Sequence, residues 1–221
     1  MKKFLILILT LLTFSVAGCG DSQEKNSAEK TVEPEKISAE NKSADEKISD
    51  KKILIAYFSR ADENYNVGTI EKGNTEIVAE IIESATHADM FEIKPVKAYP
   101  ANYQECTEIA KTEQQENARP EIIGKVENFA DYDVIFLGYP IWWGDLPMAV
   151  YTFLESYDFT GKKIVPFCTH EGSGLGGTEK NIADTTKAEV LQGLAIKGTV
   201  AHNDKDKAIS EVDNWLKTLD F

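Results

Sequence analysis

The sequence predicts an α/β fold, a doubly wound parallel sheet of five strands with helices on both faces. Two observations carry this. Short, nearly continuous apolar runs rich in Ile, Val and Phe recur along residues 51–221, as strands buried on both faces require. Segments of helical spacing alternate with them, and that alternation builds a parallel sheet through crossover helices. A length of 221 residues with 42% hydrophobic composition is enough for one such domain.

The elements follow in order. The run from Lys52 to Phe58 reads as the first, buried strand. Gly73-Asn74-Thr75 then opens a helix through Ile77, Val78, Ile81 and Ile82, with Asn74 or Thr75 as a natural N-cap. Asp89 to Ile93 alternates as a second strand, and a helix is expected over about 102–117. Asp133 to Gly138 is a third strand, ended by Tyr139-Pro140. Pro147 suits the first turn of a helix running to about Tyr157, where its missing donor does no harm. Lys163 to Cys168 is the fourth strand, followed by a glycine loop and a helix to about Gln192. Leu194 to Val200 is the expected fifth strand. The last helix sets Ile209, Val212, Trp215, Leu216 and Leu219 on one face.

Two unlike segments precede this domain. In residues 1–19, Lys2 and Lys3 lead an apolar stretch, Phe4 to Phe14, too short for a permanent membrane span of roughly 20 residues. It reads as an export signal. Val16-Ala17-Gly18-Cys19 resembles the lipobox of bacterial lipoproteins, which implies lipidation of Cys19; cleavage nearby with an incidental cysteine is the alternative. Residues 20–50 lack aromatic residues, Leu and Met, and hold nine acidic and five basic residues. Such a segment buries too little to offset ordering entropy and is expected to be a disordered tether, with a mean reach of roughly 30 Å. The domains are therefore 1–19, 20–50 and 51–221.

The formal charge is -13; without Lys2, Lys3 and the net -4 of residues 20–50, -11 remains on the domain. That balance repels phosphate backbones and argues against a nucleic-acid partner. Three cysteines with no C-x-x-C pair, and scattered His87, His170 and His202, offer neither a disulfide framework nor a metal site.

Ligands in such sheets bind beyond the carboxyl ends of the strands, at the switch point, and three loops meet there. Ser59 and, after a longer segment, Gly73, Asn74 and Thr75 combine hydroxyl and amide donors with a helix N-terminus, a favourable place for an anion. The Gly-Lys-Ser/Thr signature of a Walker loop is absent, and simple N-capping explains the loop equally well. The second loop is Tyr139, Pro140, Ile141, Trp142, Trp143 and Gly144. Adjacent exposed tryptophans are costly unless something flat covers them, either a planar ligand or a neighbouring loop. The third is Thr169, His170, Glu171, Gly172, Ser173 and Gly174, whose glycines let backbone amides approach a ligand. Gly172, Gly174 and Gly177 match the G-x-G-x-x-G dinucleotide pattern, but in the fourth strand–helix unit and without the acidic residue that should follow.

One anion loop and two ring loops suit a mononucleotide with a flat ring system. The domain resembles the flavodoxin family in its short-chain form. Ile55 to Arg60, Gly73 to Thr75, Phe91 to Pro95 with Tyr99-Pro100, Tyr139 to Gly144 and Thr169 to Gly174 carry the resemblance. It implies FMN, the strand order 2-1-3-4-5 and electron transfer. By position it implies phosphate contacts from Ser59, Gly73, Asn74 and Thr75. Trp142 or Trp143 would stack on the ring, and Thr169 to Gly174 would meet its other edge. Family members have a short turn where Arg60 to Lys72 stand here, so Arg60 or Tyr65 could reach into the site.

Glu171 and Asp145, if near the ring, would disfavour its reduced anion; as solvated carboxylates they would do nothing. His170 is a proton shuttle or a polar loop residue, while Cys168 and Cys106 read as packing residues. A carrier needs only an exposed ring edge and a charged face suited to a cationic redox partner. A quinone or flavin reductase using NAD(P)H would need space over the ring, which a stacked tryptophan obstructs. A lipid-anchored binding protein that has lost FMN is the third class. The expected location is the outer face of the cytoplasmic membrane.

Overall fold

In the computed structural model, which describes residues 51–220, β1 (Ile53–Tyr57) is buried along its whole length. The expected export signal, Cys19 and the expected tether lie outside the described residues. Side chains of β1 alternate between two cores. Leu54 and Ala56, with Phe58 beyond the strand, pack into one core, and Ile53, Ile55 and Tyr57 into the other. Its neighbours are β4 (Asp89–Glu92) and β5 (Val134–Pro140), both parallel. Beyond β5 lies β6 (Lys163–His170), then β7 (Glu189–Val190) and β8 (Leu194–Lys197), also parallel. Counted as sheet strands, this is the expected order 2-1-3-4-5, and the winding reverses between β1 and β5.

Helices α1 (Asn74–Thr86) and α6 (Lys205–Leu216) cover one face through Val78, Ile82, Val212 and Trp215. On the other face, α3 (Met148–Glu155) contributes Val150, Phe153 and Leu154, and α4 (Thr178–Thr186) contributes Ile182. Helix α2 (Tyr103–Gln115) begins at Asn102, whose side chain accepts from the Glu105 amide.

The fifth position departs from expectation, because two short strands share it. Leu191 N donates to Ile164 O, so Ile164 turns its backbone polar groups toward that position. Pro166, two residues on, turns the same way and has no N–H to give. β7 pairs with Lys163–Ile164 before the proline and β8 with Phe167–His170 after it. The preceding helix also ends early, at Thr186 rather than near Gln192, where Lys187 takes a left-handed conformation (φ 59°). The strand expected through Val200 stops at Lys197, and α5 (Gly198–Asn203) begins there. Glu171 Oε1 takes the Thr199 amide at 2.7 Å, which turns the chain from extended to helical despite the β-branched pair Thr199-Val200.

β5 and β6 each run two residues beyond their expected ends, so Tyr139-Pro140 pairs with Cys168-Thr169 inside the sheet. Residues 62–70 form an element not foreseen: β2 (Asp62–Asn64) and β3 (Gly68–Ile70), an antiparallel hairpin separate from the main sheet.

Candidate functional site

A cavity of about 260 Å³ opens at the carboxyl ends of β1, β5 and β6. Ser59, Asn74, Thr75, Pro140, Ile141, Trp142, Trp143, Thr169, His170 and Glu171 line it, so all three predicted loops converge there. Gly73, Tyr139, Gly144, Gly172, Ser173 and Gly174 are not among its lining residues.

The anion-loop end is built around Gly73, the N-cap of α1. Asn74 and Thr75 are helical residues, not caps. The capping oxygen comes instead from the end of β1: Ser59 Oγ accepts from Glu76 N at 3.0 Å. Only glycine fits at 73, since a Cβ there would stand 2.2 Å from Ser59 Oγ and 2.6 Å from Arg60 O. Thr75 Oγ1 and Thr169 Oγ1 are hydrogen-bonded at 2.8 Å. The first amides of a helix lack intrahelical acceptors and carry partial positive charge, and Asn74 and Thr75 bring theirs to the cavity.

In the second loop, Trp142 and Asp145 exchange backbone hydrogen bonds at 2.9 and 3.0 Å. The intervening Trp143 (φ 52°) and Gly144 (φ 79°) are both left-handed, as a primed tight turn requires. The turn sends the two indoles different ways. Trp142 is half-buried, edge-on to Phe58 and Tyr99 with ring centres 5.2 and 4.9 Å away. Trp143 is 52% exposed, its Nε1–H donating to Thr107 O at 2.9 Å and Lys111 lying over its ring. Asp145 is absent from the cavity wall; its carboxylate receives Leu146 N, Tyr151 OH and Asn181 Nδ2 and braces the turn. Tyr139 is fully buried inside β5, its hydroxyl 2.7 Å from Thr178 Oγ1, and burial raises its pKa.

In the third loop, His170 Nδ1 accepts the amides of Gly172 and Gly174 at 2.9 and 3.1 Å. Burial lowers the His170 pKa, in keeping with a neutral ring that accepts at Nδ1. His170 therefore organises the loop. Glu171 holds Thr199, and its Oε2 lies 3.4 Å from Asn66 Nδ2.

Sequence reasoning missed the α2 wall. Tyr103, Cys106, Thr107 and Ala110 of α2 line the cavity, together with Asn64 of the hairpin and Gly198. Tyr65 of the hairpin lines it too, as expected of the segment from Arg60 to Lys72. Tyr65 and Tyr103 are stacked, ring centres 6.1 Å apart. With Trp143 they form an exposed aromatic rim. Arg60 also lines the cavity. It donates to the carbonyls of Glu63, Pro100 and Ala101, while its Nε is buried and without a partner. Asn74 Oδ1 is likewise buried and unpaired. Burial raises the Cys106 thiol pKa, which suits a packing residue rather than a nucleophile.

The family model for flavodoxin matches residues 52–218. The chain belongs to the flavodoxin family. Among solved structures, a candidate flavoprotein from Bacteroides eggerthii DSM 20697 is 30% identical, with a TM-score of 0.59 over 74% of this chain and 97% of that one. A second candidate flavoprotein, from Bacteroides uniformis ATCC 8492, is 26% identical, with a TM-score of 0.59 over 74% and 98%. A flavoprotein in complex with FMN from Lactobacillus acidophilus NCFM shares the fold at 24% identity, with a TM-score of 0.53 over 75% and 98%. No curated protein matches the sequence.

Proposed function

We propose that this chain is an FMN-binding electron-transfer protein, held at the outer face of the cytoplasmic membrane by a lipid on Cys19. The observation that carries the cofactor reading is the pair of buried, unpaired atoms on cavity residues, Asn74 Oδ1 and Arg60 Nε. A buried polar group left unpaired costs about 1–3 kcal/mol. One of these atoms needs a donor and the other an acceptor. A ribityl phosphate carries both, as hydroxyls and anionic oxygens, whereas an apolar ligand would satisfy neither. The FMN held by the Lactobacillus acidophilus protein accords with this reading.

FMN supplies the redox chemistry when bound, and the chain binds and orients it. Ser59, Gly73, Asn74 and Thr75 hold the phosphate through hydroxyls, amides and the α1 N-terminus. Pro140, Ile141, Trp142 and Trp143 form the flat wall, with Tyr139 and Gly144 supporting their turn. Thr169, His170 and Glu171 meet the ring edge, and the turn through Gly172, Ser173 and Gly174, whose first and last amides are held by His170, supports them. The charge of -11 on residues 51–221 suits steering toward a cationic redox partner.

Visible absorption during FMN titration of the mature protein tests the reading. The expected result is saturable, tight binding, with no NADPH oxidation unless a redox partner is added. Rapid NADPH oxidation by the protein alone would replace the carrier with an NAD(P)H-dependent quinone or flavin reductase. Absence of binding would leave a lipid-anchored binding protein without flavin chemistry. For the anchor, Cys19→Ser is expected to abolish metabolic labelling with palmitate and to release the protein from membranes.

A further inference from the structure

The hairpin of β2 and β3 spans the cavity mouth and is fastened unequally at its two sides. Toward α2 it is held firmly. Glu63 Oε2 accepts Tyr103 N at 2.8 Å and Asn102 Nδ2 at 3.0 Å, placing a carboxylate at the α2 N-terminus. Glu63 N donates to Ala101 O at 3.2 Å. The Arg60 guanidinium ties the Glu63 carbonyl to those of Pro100 and Ala101. Toward β6, one exposed hydrogen bond, Asn66 Nδ2 to Glu171 Oε2 at 3.4 Å, is the tie recorded at the tip. The hairpin pairs with no strand of the main sheet, so it can swing without breaking that ladder, and a lone two-stranded ribbon is marginally stable by itself.

We propose that this hairpin is a latch over the cofactor site, hinged at Arg60 and Glu63 and closed at its tip by Asn66 on Glu171. The latch rests on the FMN reading and deepens it: closure slows cofactor release by shielding the anion-loop end. The design is consistent with its bonds. The hinge side combines charge-assisted bonds with carbonyl acceptors, which are the stronger kind. The tip bond is long and solvent-exposed, and so opens first. Glu171 is in turn held by the Thr199 amide, giving the tip a fixed catch.

Two variants of the full chain test the latch. Asn66 has a left-handed backbone (φ 63°), which Asp also tolerates, so Asn66→Asp keeps the turn while setting a second carboxylate against Glu171. FMN release, followed by flavin fluorescence after dilution, is expected to quicken about fivefold, the scale of one lost exposed bond. Added salt should reduce the gain, the association rate should not fall, and the urea midpoint should hold. The pair Asn66→Cys with Glu171→Cys, bridged after FMN loading by a disulfide-containing bis-maleimide that spans the length of the two lost side chains, should stop release until dithiothreitol cleaves the bridge. If FMN binds but leaves the bridged and cleaved pair at equal rates, the latch is wrong and the FMN reading stands. If the unmodified chain takes up no FMN, both fall together. Formation of the bridge in the ligand-free chain reports the closed tip independently; modification of both thiols without bridging also overturns the latch.

Discussion

Thr75 Oγ1 and Thr169 Oγ1, 94 residues apart in sequence, share a buried hydrogen bond of 2.8 Å. It fastens the first turn of α1 to the end of β6, and so sets the spacing between the anion loop and the third loop. Replacing either hydroxyl by a methyl strands the other in a buried site. Thr75→Val and Thr169→Val are each expected to lose about 1–3 kcal/mol, while the double variant loses less than their sum. Urea denaturation of the four proteins gives that coupling directly.

Gly73 is the position least open to change. A Cβ there meets Ser59 Oγ and the Arg60 carbonyl, and the carbonyl cannot rotate away as a side chain can. Gly73→Ala should therefore cost about 1–3 kcal/mol and weaken FMN binding, as the Ser59 cap on Glu76 is pushed aside. Gly144→Ala is the comparison: it has open space around it and a left-handed backbone (φ 79°), so strain alone remains, about 1–2 kcal/mol. Denaturation midpoints with FMN titrations on both variants check the contrast. Equal losses of affinity would show that the Ser59–Gly73 approach has no special role.

The adjacent tryptophans should separate stability from binding. Trp142 is wedged against Phe58 and Tyr99, and its removal leaves a cavity beside the core. Because the ring is half-buried, Trp142→Ala is expected to cost about 2–3 kcal/mol, less than the loss of a fully buried tryptophan. Trp143 is exposed and left-handed, so Trp143→Gly relieves backbone strain as it removes the indole. Its urea midpoint should stay near the parent value while FMN affinity falls. A Trp143→Gly protein with full affinity would leave the flat wall to Trp142, Tyr65 and Tyr103.

Both buried faces of β1 and the three converging loops were legible because apolar runs and glycine-rich loops are local patterns; the strand order came with the resemblance to the flavodoxin family. What escaped depended on partners distant in sequence. Pro166 interrupts pairing only because it faces the fifth strand position, and nothing in Lys163 to Cys168 alone tells which way it faces. Residues 198–203 carry β-branched side chains, yet Glu171, 28 residues before Thr199, captures the Thr199 amide and starts a helix. The cavity wall of α2 was hidden for a similar reason. Cys106 and Ala110 look like ordinary inward residues of an amphipathic helix, and only the hairpin beside them leaves a space on that side. Ser59 as a cap for α1 was equally out of reach, since the capping rules read only the residues next to the helix.

His170 should give the third loop a characteristic pH dependence. Its ring accepts two loop amides at Nδ1, and burial places its folded pKa below the ordinary 6.5. Above pH 6.5 the ring is neutral in both folded and unfolded chains, and its contribution is fully present. As pH falls through 6.5, the unfolded chain takes up the proton first, so stability declines until the folded pKa is passed. Protonation at Nδ1 would also replace an acceptor by a donor facing the amides of Gly172 and Gly174, loosening the loop. His170→Asn keeps a short polar side chain but does not titrate. Subtracting its urea midpoints from those of the parent, at steps from pH 8 to 5, removes the carboxylate background. The difference should be flat above pH 7 and shrink in the parent's disfavour below pH 6.5. A difference that stays flat to pH 5 would mean that His170 is as readily protonated in the folded loop as in the unfolded chain.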